Sequence, residues 1–226
     1  MKSSLAVLAL LASFSLSAHD YNYGDYQKIE TKLLDLSSEN LSSFAIDAGA
    51  GSLTVIGNNS NLIEVSADIF QKEAGESYCL SLDTKGSSKS VALLRANTCH
   101  SNNGTRIDLT VSLPESLMTK ITDGSGSIHV SNSSVEYIND GSGSINVEDN
   151  KVSLTVKDGS GSMHITNLAG DVSINDGSGS ITLNTISGHV EVDDGSGSIN
   201  VNNAKSFKLN SDGSGGVELS NVTQTY

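Results

Sequence analysis

Six times in its second half the chain writes an aspartate followed by Gly-Ser-Gly: DGSGSI at 123, 140, 176 and 194, DGSGSM at 158 and DGSGGV at 212. The steps between successive aspartates are 17, 18, 18, 18 and 18 residues. A fixed period near 20 with β-type patterning is the signature of a solenoid, in which each repeat buries its apolar face only against its neighbours. Glycine at this density excludes helix.

Counting each aspartate as position 0, apolar residues recur at positions 5 and 7 (Ile128 and Val130, Ile145 and Val147, Met163 and Ile165, Ile181 and Leu183, Ile199 and Val201, Val217 and Leu219). They recur again at 14 and 16, as in Leu154 and Val156, Val172 and Ile174, Val190 and Val192. Two short strands per repeat follow, each with one face buried. In the repeat that starts at Asp194, Phe207 and Leu209 sit one position early, which predicts a compensated bulge. Carried back from position 5, the same parity places the glycines at 3 and 1 inward and the serines at 2 and 4 outward. The aspartate then marks a tight corner, capping its own turn through a backbone N–H two residues on. The fold expected is all-β: a right-handed parallel β-helix with 18-residue coils, stacked about 4.8 Å apart.

The remainder of the chain divides around this unit. Residues 1–18 carry Lys2, an apolar run from Leu5 to Leu16 and small residues before Ala18, the pattern of a secretory signal peptide. The run is too short to span a bilayer, and no later segment is long enough. Residues 19–40 read as a polar lead-in with Tyr21, Tyr23 and Tyr26, residues 41–118 as an irregular β region that caps the stack, and 119–226 as the six-corner solenoid. The far end has no evident cap, so end-to-end self-association is an expectation. Cys79 and Cys99, two cysteines in an exported chain, are expected to form a disulfide. Without Lys2 there are 12 basic against 26 acidic residues, and the arginines are Arg95 and Arg106 alone. That balance argues against nucleic acid and anionic membranes as partners.

Residues 44–57 (FAIDAGAGSLTVIG) contain a degenerate copy of the corner, and residues 107–128 run IDLTVSLPESLMTKITDGSGSI. With the Leu113-Pro114 step and the units TNLAGDVSI (166–174) and NTISGHVEV (184–192), residues 41–226 resemble a family of bacterial exported, adhesin-like β-strand-repeat proteins of unknown function. The resemblance implies a single-stranded right-handed β-helix at the cell envelope, in the periplasm or at the surface, and carries no catalytic or binding residues over to this chain.

Three chemistries are legible in the repeat. Asp123, Asp140, Asp158, Asp176, Asp194 and Asp212 form a column in which neighbours at about 4.8 Å repel by about 0.9 kcal/mol in water. Either they are turn-capping corners with splayed, solvated carboxylates, or a cation, Ca2+ in the first instance, sits between rungs. The spacing matches neither the nonapeptide nor the EF-hand calcium loop. Two serine columns, Ser125, Ser142, Ser160, Ser178 and Ser196 beside Ser127, Ser144, Ser162, Ser180 and Ser198, make a flat polar face that could bind a glycan or another envelope protein. The alternative is a solvated face of small residues. His129 and His164 share a column two rungs apart, about 9.6 Å, too far for one metal. His100 and His189 are isolated. A polysaccharide-active β-helix enzyme is the remaining alternative. It needs clustered acid and base groups that break the period, and Gly124-Ser125-Gly126 lacks the strand-to-helix context of a nucleophile elbow. The function expected is therefore a non-enzymatic binding or structural module, with no cofactor unless Ca2+ occupies the aspartate column.

Overall fold

The computed structural model describes residues 26–73, 75, 77–86, 90–99 and 104–225. The signal-peptide segment, Tyr21, Tyr23 and His100 lie outside the described residues. Before the repeats come β1 (Gln27–Ser37), β2 (Ser43–Ala48), β3 (Leu53–Asn58), β4 (Leu62–Gln71), β5 (Cys79–Lys85), β6 (Val91–Asn97) and β7 (Thr105–Pro114). The repeats supply β8 (Met118–Asp123), β9 (Gly126–Ser131), β10 (Ser134–Asp140), β11 (Gly143–Glu148), β12 (Leu154–Asp158), β13 (Met163–Leu168) and β14 (Val172–Asp176). They continue through β15 (Ile181–Asp194), β16 (Gly197–Asp212) and β17 (Gly215–Val222). All belong to one continuous sheet. Among the described residues no helix is long and apolar enough to cross a membrane.

The sheet is wound into a β-solenoid whose two walls are stacked in parallel. Register along each wall is the sequence period itself. Asp140 pairs with Asp158, Asp158 with Asp176, and Asp176 with Asp194. On the other wall Ile145 pairs with Met163, Met163 with Ile181, and Ile181 with Ile199. The apolar residues of positions 5, 7 and 16 are fully buried from Ile121 through Val201. Each such side chain contributes about 1.5–3 kcal/mol by leaving water, and a one-residue slip would turn a whole strand inside out. The early Phe207 is accommodated as expected. The β15–β16 register steps by one residue after Ile186 and returns after Val192, leaving Asn210 as the extra residue.

Each coil has a second corner at position 9, where Asn132, Asp149, Asn167, Thr185, Asn203 and Asn221 all have left-handed φ of 49–63°. Asparagine tolerates that region; a β-branched residue does not. Thr185→Asn is therefore expected to stabilise the protein by about 1 kcal/mol, read as a higher urea midpoint, and Asn167→Thr to cost a similar amount. An unchanged or lower midpoint for Thr185→Asn would refute the strain.

The stack also extends beneath the repeats. β2 lies between β6 and β8, and β3 between β7 and β9, all parallel. Residues 43–58 are thus one further coil and β6 with β7 another, with the chain order inverted. β4 runs antiparallel between β1 and β7, and β5 antiparallel on β6. Leu34, Leu36, Tyr78, Leu80 and Leu82 pack against the core there, and the Tyr78 phenol donates to Glu30, which pairs with Lys32 at 2.6 Å. Antiparallel strands end the parallel template at this end. The Cys79–Cys99 disulfide, with Cα atoms 5.1 Å apart, pins β5 to the segment after β6.

Candidate functional site: the glycine corner

The glycines do not line the interior, contrary to the parity argument. A Cβ built on the first glycine of each corner, from Gly124 to Gly213, would lie 2.2–2.7 Å from the carbonyl oxygen of the equivalent glycine one rung below. On the second glycine, from Gly126 to Gly215, it would lie 1.4–1.8 Å from that oxygen. The missing side chains point along the stack. Backbone lies directly on backbone, and the second glycine takes φ of 135–158°, a region closed to other residues.

This close stacking sets the serines on an even grid. Ser127 pairs with Ser144, Gly126 with Gly143, and the next column outward pairs His129 with Asn146. Ser127, Ser144, Ser162, Ser180 and Ser198 are exposed, and Ser125, Ser142, Ser160, Ser178 and Ser196 half-buried. The serine backbone carbonyls are used within the stack: Gly126, Gly143, Gly161, Gly179 and Gly197 donate to the next rung's serine at 2.8–3.0 Å.

The aspartates sit on the other side of the corner. Position 0 shares the inward parity of 14 and 16, so Asp123, Asp140, Asp158, Asp176 and Asp194 are only 2–6% exposed. The picture of solvated carboxylates is thereby corrected; Asp212, in the last coil, is half-buried. The turn-capping bond is present: the Ser142, Ser160 and Ser196 amides donate to Oδ1 of Asp140, Asp158 and Asp194 at 3.2–3.3 Å. At least one carboxylate oxygen of each buried aspartate has no hydrogen-bond partner. Burial first, then the Asp140 charge, pushes Asp123 up to about 7. Burial and Asp158 push Asp140 up to about 6, and burial with Asp158 and Asp194 does the same for Asp176. Burial raises Asp158, and burial followed by Asp212 and Asp193 raises Asp194.

Among the described residues no group of three or more His, Cys, Asp or Glu is arranged to hold a metal ion. His129 meets Asn146 at 3.2 Å, His164 meets Thr166 at 3.0 Å, and His189 meets Ser206 at 2.6 Å.

Continuing the Leu53–Leu109 register backward places Asp108 below Ser52, and Arg106 below Ala50, which bridges to Ser125. The two serine columns therefore end at the capped end in an Arg–Asp pair. Arg106 Nη2 donates to Asp108 Oδ2 at 3.0 Å, and the Ser52 amide donates to Asp108 Oδ1 at 2.9 Å. The guanidinium lies 4.5 Å from the Phe70 ring centroid and 5.9 Å from that of Tyr26, with Lys72 Nζ 5.1 Å from the Tyr26 centroid. Tyr26, Ser52, Arg106 and Asp108, with Ser125 and Ser127, line a cleft of about 320 Å3. Non-local pairings bring them together, β3 with β7 and β9, and β4 with β7 and β1, so the hint in the sequence is the rarity of arginine.

Fold and corner define the class: an acidic, disulfide-bonded β-solenoid with a serine-faced corner and a carboxylate column inside it. No family model matches the chain, and no curated protein matches it in sequence. Among solved structures it is similar to a candidate cell adhesion protein from Clostridium sporogenes (13% identity, covering 87% of this chain and 96% of that one, TM-score 0.42). It is also similar to a candidate lipid binding protein from Parabacteroides distasonis (10%, 86% and 96%, 0.42) and to a candidate adhesin from Bacteroides fragilis (10%, 87% and 95%, 0.35).

Proposed function

We propose that this chain is a non-enzymatic binding scaffold of the bacterial cell envelope, whose solenoid presents the serine lattice to an extended, repeating partner such as a glycan. The observation that carries the reading is the register of the serine columns, held rung by rung by glycines that no other residue can replace. A rigid grid repeating at about 4.8 Å engages a periodic chain at many weak points at once, and avidity multiplies them. The disulfide suits an oxidising, exported location. The acidic balance and the adhesin-like resemblance of residues 41–226 point the same way.

The test is sedimentation of the mature chain, residues 19–226, with purified envelope polysaccharide, peptidoglycan and outer-membrane fractions. Wild type is expected to bind one fraction, and the triple variant Ser144→Arg, Ser162→Arg, Ser180→Arg to lose at least about tenfold in affinity, roughly 1.4 kcal/mol. No binding to any fraction, or unchanged binding by the triple variant, overturns the reading.

A second reading, a cation along the aspartate column, is favoured by the unpartnered buried carboxylate oxygens. Melting at about pH 8, where the carboxylates are charged, with EDTA, Ca2+ or Mg2+ tests it. A Ca2+-specific rise supports the site through linkage; an equal shift with Mg2+ or plain salt reduces it to screened repulsion.

A further inference from the structure

The serine lattice is uniform along its length but ends against a different chemistry. Arg106 is fixed by the Phe70 and Tyr26 rings and by Asp108, and Asp108 by the Ser52 amide. The two side chains are 17% and 26% exposed, so this is a built wall rather than a pair of loose surface charges. Three elements meet in the cleft: a planar aromatic ring, a charge-balanced pair that offers both donors and acceptors, and a rim of serines.

That combination discriminates between ligand classes. An anion would meet the Asp108 carboxylate and a chain of net charge −13; a cation would meet Arg106 and the Lys72 ammonium, which lies over the Tyr26 ring. A peptide that adds as a strand needs free strand groups, yet the rim's backbone is committed to the stack: Gly51 donates to Ser125 at 3.1 Å, Ile107 to Ala50 at 2.9 Å and Gly126 to Ser142 at 3.0 Å. A neutral sugar ring suits all three elements. Its C–H face packs on an aromatic ring, and its hydroxyls both donate to a carboxylate and accept from a guanidinium. The volume is at the small end for ligand pockets, right for a terminal unit rather than a chain.

We propose that the Tyr26–Arg106–Asp108 cleft is a saccharide subsite that seats the terminal ring of a neutral glycan, with the following rings lying over the Ser125 and Ser127 columns. The proposal rests on the lattice reading above for the direction of the chain, and names the ligand class and the end at which it stops.

The experiment is titration of 15N-labelled residues 19–226 with cellotetraose, maltotetraose and the β-1,4 tetramer of N-acetylglucosamine, following the Gly51, Ser52, Gly126 and Ser127 amides. At least one probe is expected to shift this set saturably. Tyr26→Ala and Asp108→Asn are expected to weaken that binding by about tenfold or more while the amide spectrum of the repeats keeps its folded pattern, and Tyr26→Phe to retain it. No shift with any of the three, or wild-type binding by Tyr26→Ala, overturns the subsite. If an envelope polymer still binds in a manner sensitive to the serine-to-arginine triple variant, the lattice survives without the subsite. Tyr26-dependent tetrasaccharide binding in a protein whose triple variant loses no polymer binding leaves the subsite standing and removes the lattice.

Discussion

Between about pH 8 and pH 5 the protein is expected to become more stable, where most proteins change little. The cause is the aspartate column. An aspartate in the unfolded chain titrates near 4, whereas in the solenoid Asp123 titrates at about 7 and Asp140 and Asp176 at about 6, with Asp158 and Asp194 also raised. The folded state therefore binds more protons than the unfolded state across this window, and stability falls as pH rises through it. The charged groups acting on these carboxylates are one another, with Asp212 and Asp193 beside Asp194, and among the described residues no positive charge offsets the trend. Each pKa unit corresponds to about 1.4 kcal/mol. Because the groups are coupled, their shifts do not add, but a net change of several kcal/mol, on the order of 10 °C in melting temperature, is the expected scale. The gain ends near pH 4, where the aspartates of the unfolded chain take up protons as well. Asp176→Asn keeps the shape of the corner and removes a charge with a neighbour on each side. It should raise the melting temperature at pH 8 and change it little at pH 5. A flat or falling melting temperature on acidification, or no gain from Asp176→Asn at pH 8, would show that the buried carboxylates are relieved by something other than protons.

The repeat was readable because solenoid contacts are one period away in sequence. Alternation at 5, 7, 14 and 16 names the buried residues directly, and even the misplacement of Phe207 and Leu209 could be read as a bulge. What could not be read was direction. Position 0 differs from position 16 by two residues, so its side chain points inward; treating the aspartate as the corner itself concealed that the carboxylate ends the strand inside the core. Parity turns the glycines inward, but parity has only two directions, and their missing side chains point along a third, the stack axis. The second corner was hidden because Asn, Asp and Thr all occupy it. The Arg106–Asp108 wall was out of reach for a different reason. It depends on β7 lying beneath β3, a pairing between segments about 55 residues apart with no shared motif, whereas Gly49-Ala50-Gly51 still carries enough of the corner to betray its coil.

Replacing Gly161 with alanine is expected to be among the most damaging single substitutions in the chain. The new Cβ would lie 1.5 Å from the Gly143 carbonyl oxygen, at φ of 141°. Both partners are backbone, held by ladders on either side, so neither can rotate away as a side chain could. The rungs must separate locally, and a loss of at least about 4 kcal/mol or failure to fold is the expected outcome. Gly215→Ala creates the same clash, 1.4 Å from the Gly197 oxygen, but in the last coil. In a solenoid each coil contacts only its neighbours, so the terminal coil can fray while the rest of the stack persists. Gly216→Ser is the control: a Cβ there meets nothing within 4 Å, and the change restores the serine of the other corners. Hydrogen exchange separates the three. Gly161→Ala should lose protection in the coils on both sides of residue 161, Gly215→Ala only in β17 and the paired part of β16, and Gly216→Ser nowhere. Equal global losses for Gly161→Ala and Gly215→Ala would mean that the stack unfolds as one unit and that its coils are not the independent rungs their pairing describes. A mild Gly161→Ala would mean that the rungs can part at the corner without cost, and the rigid serine grid on which binding is proposed would lose its physical basis.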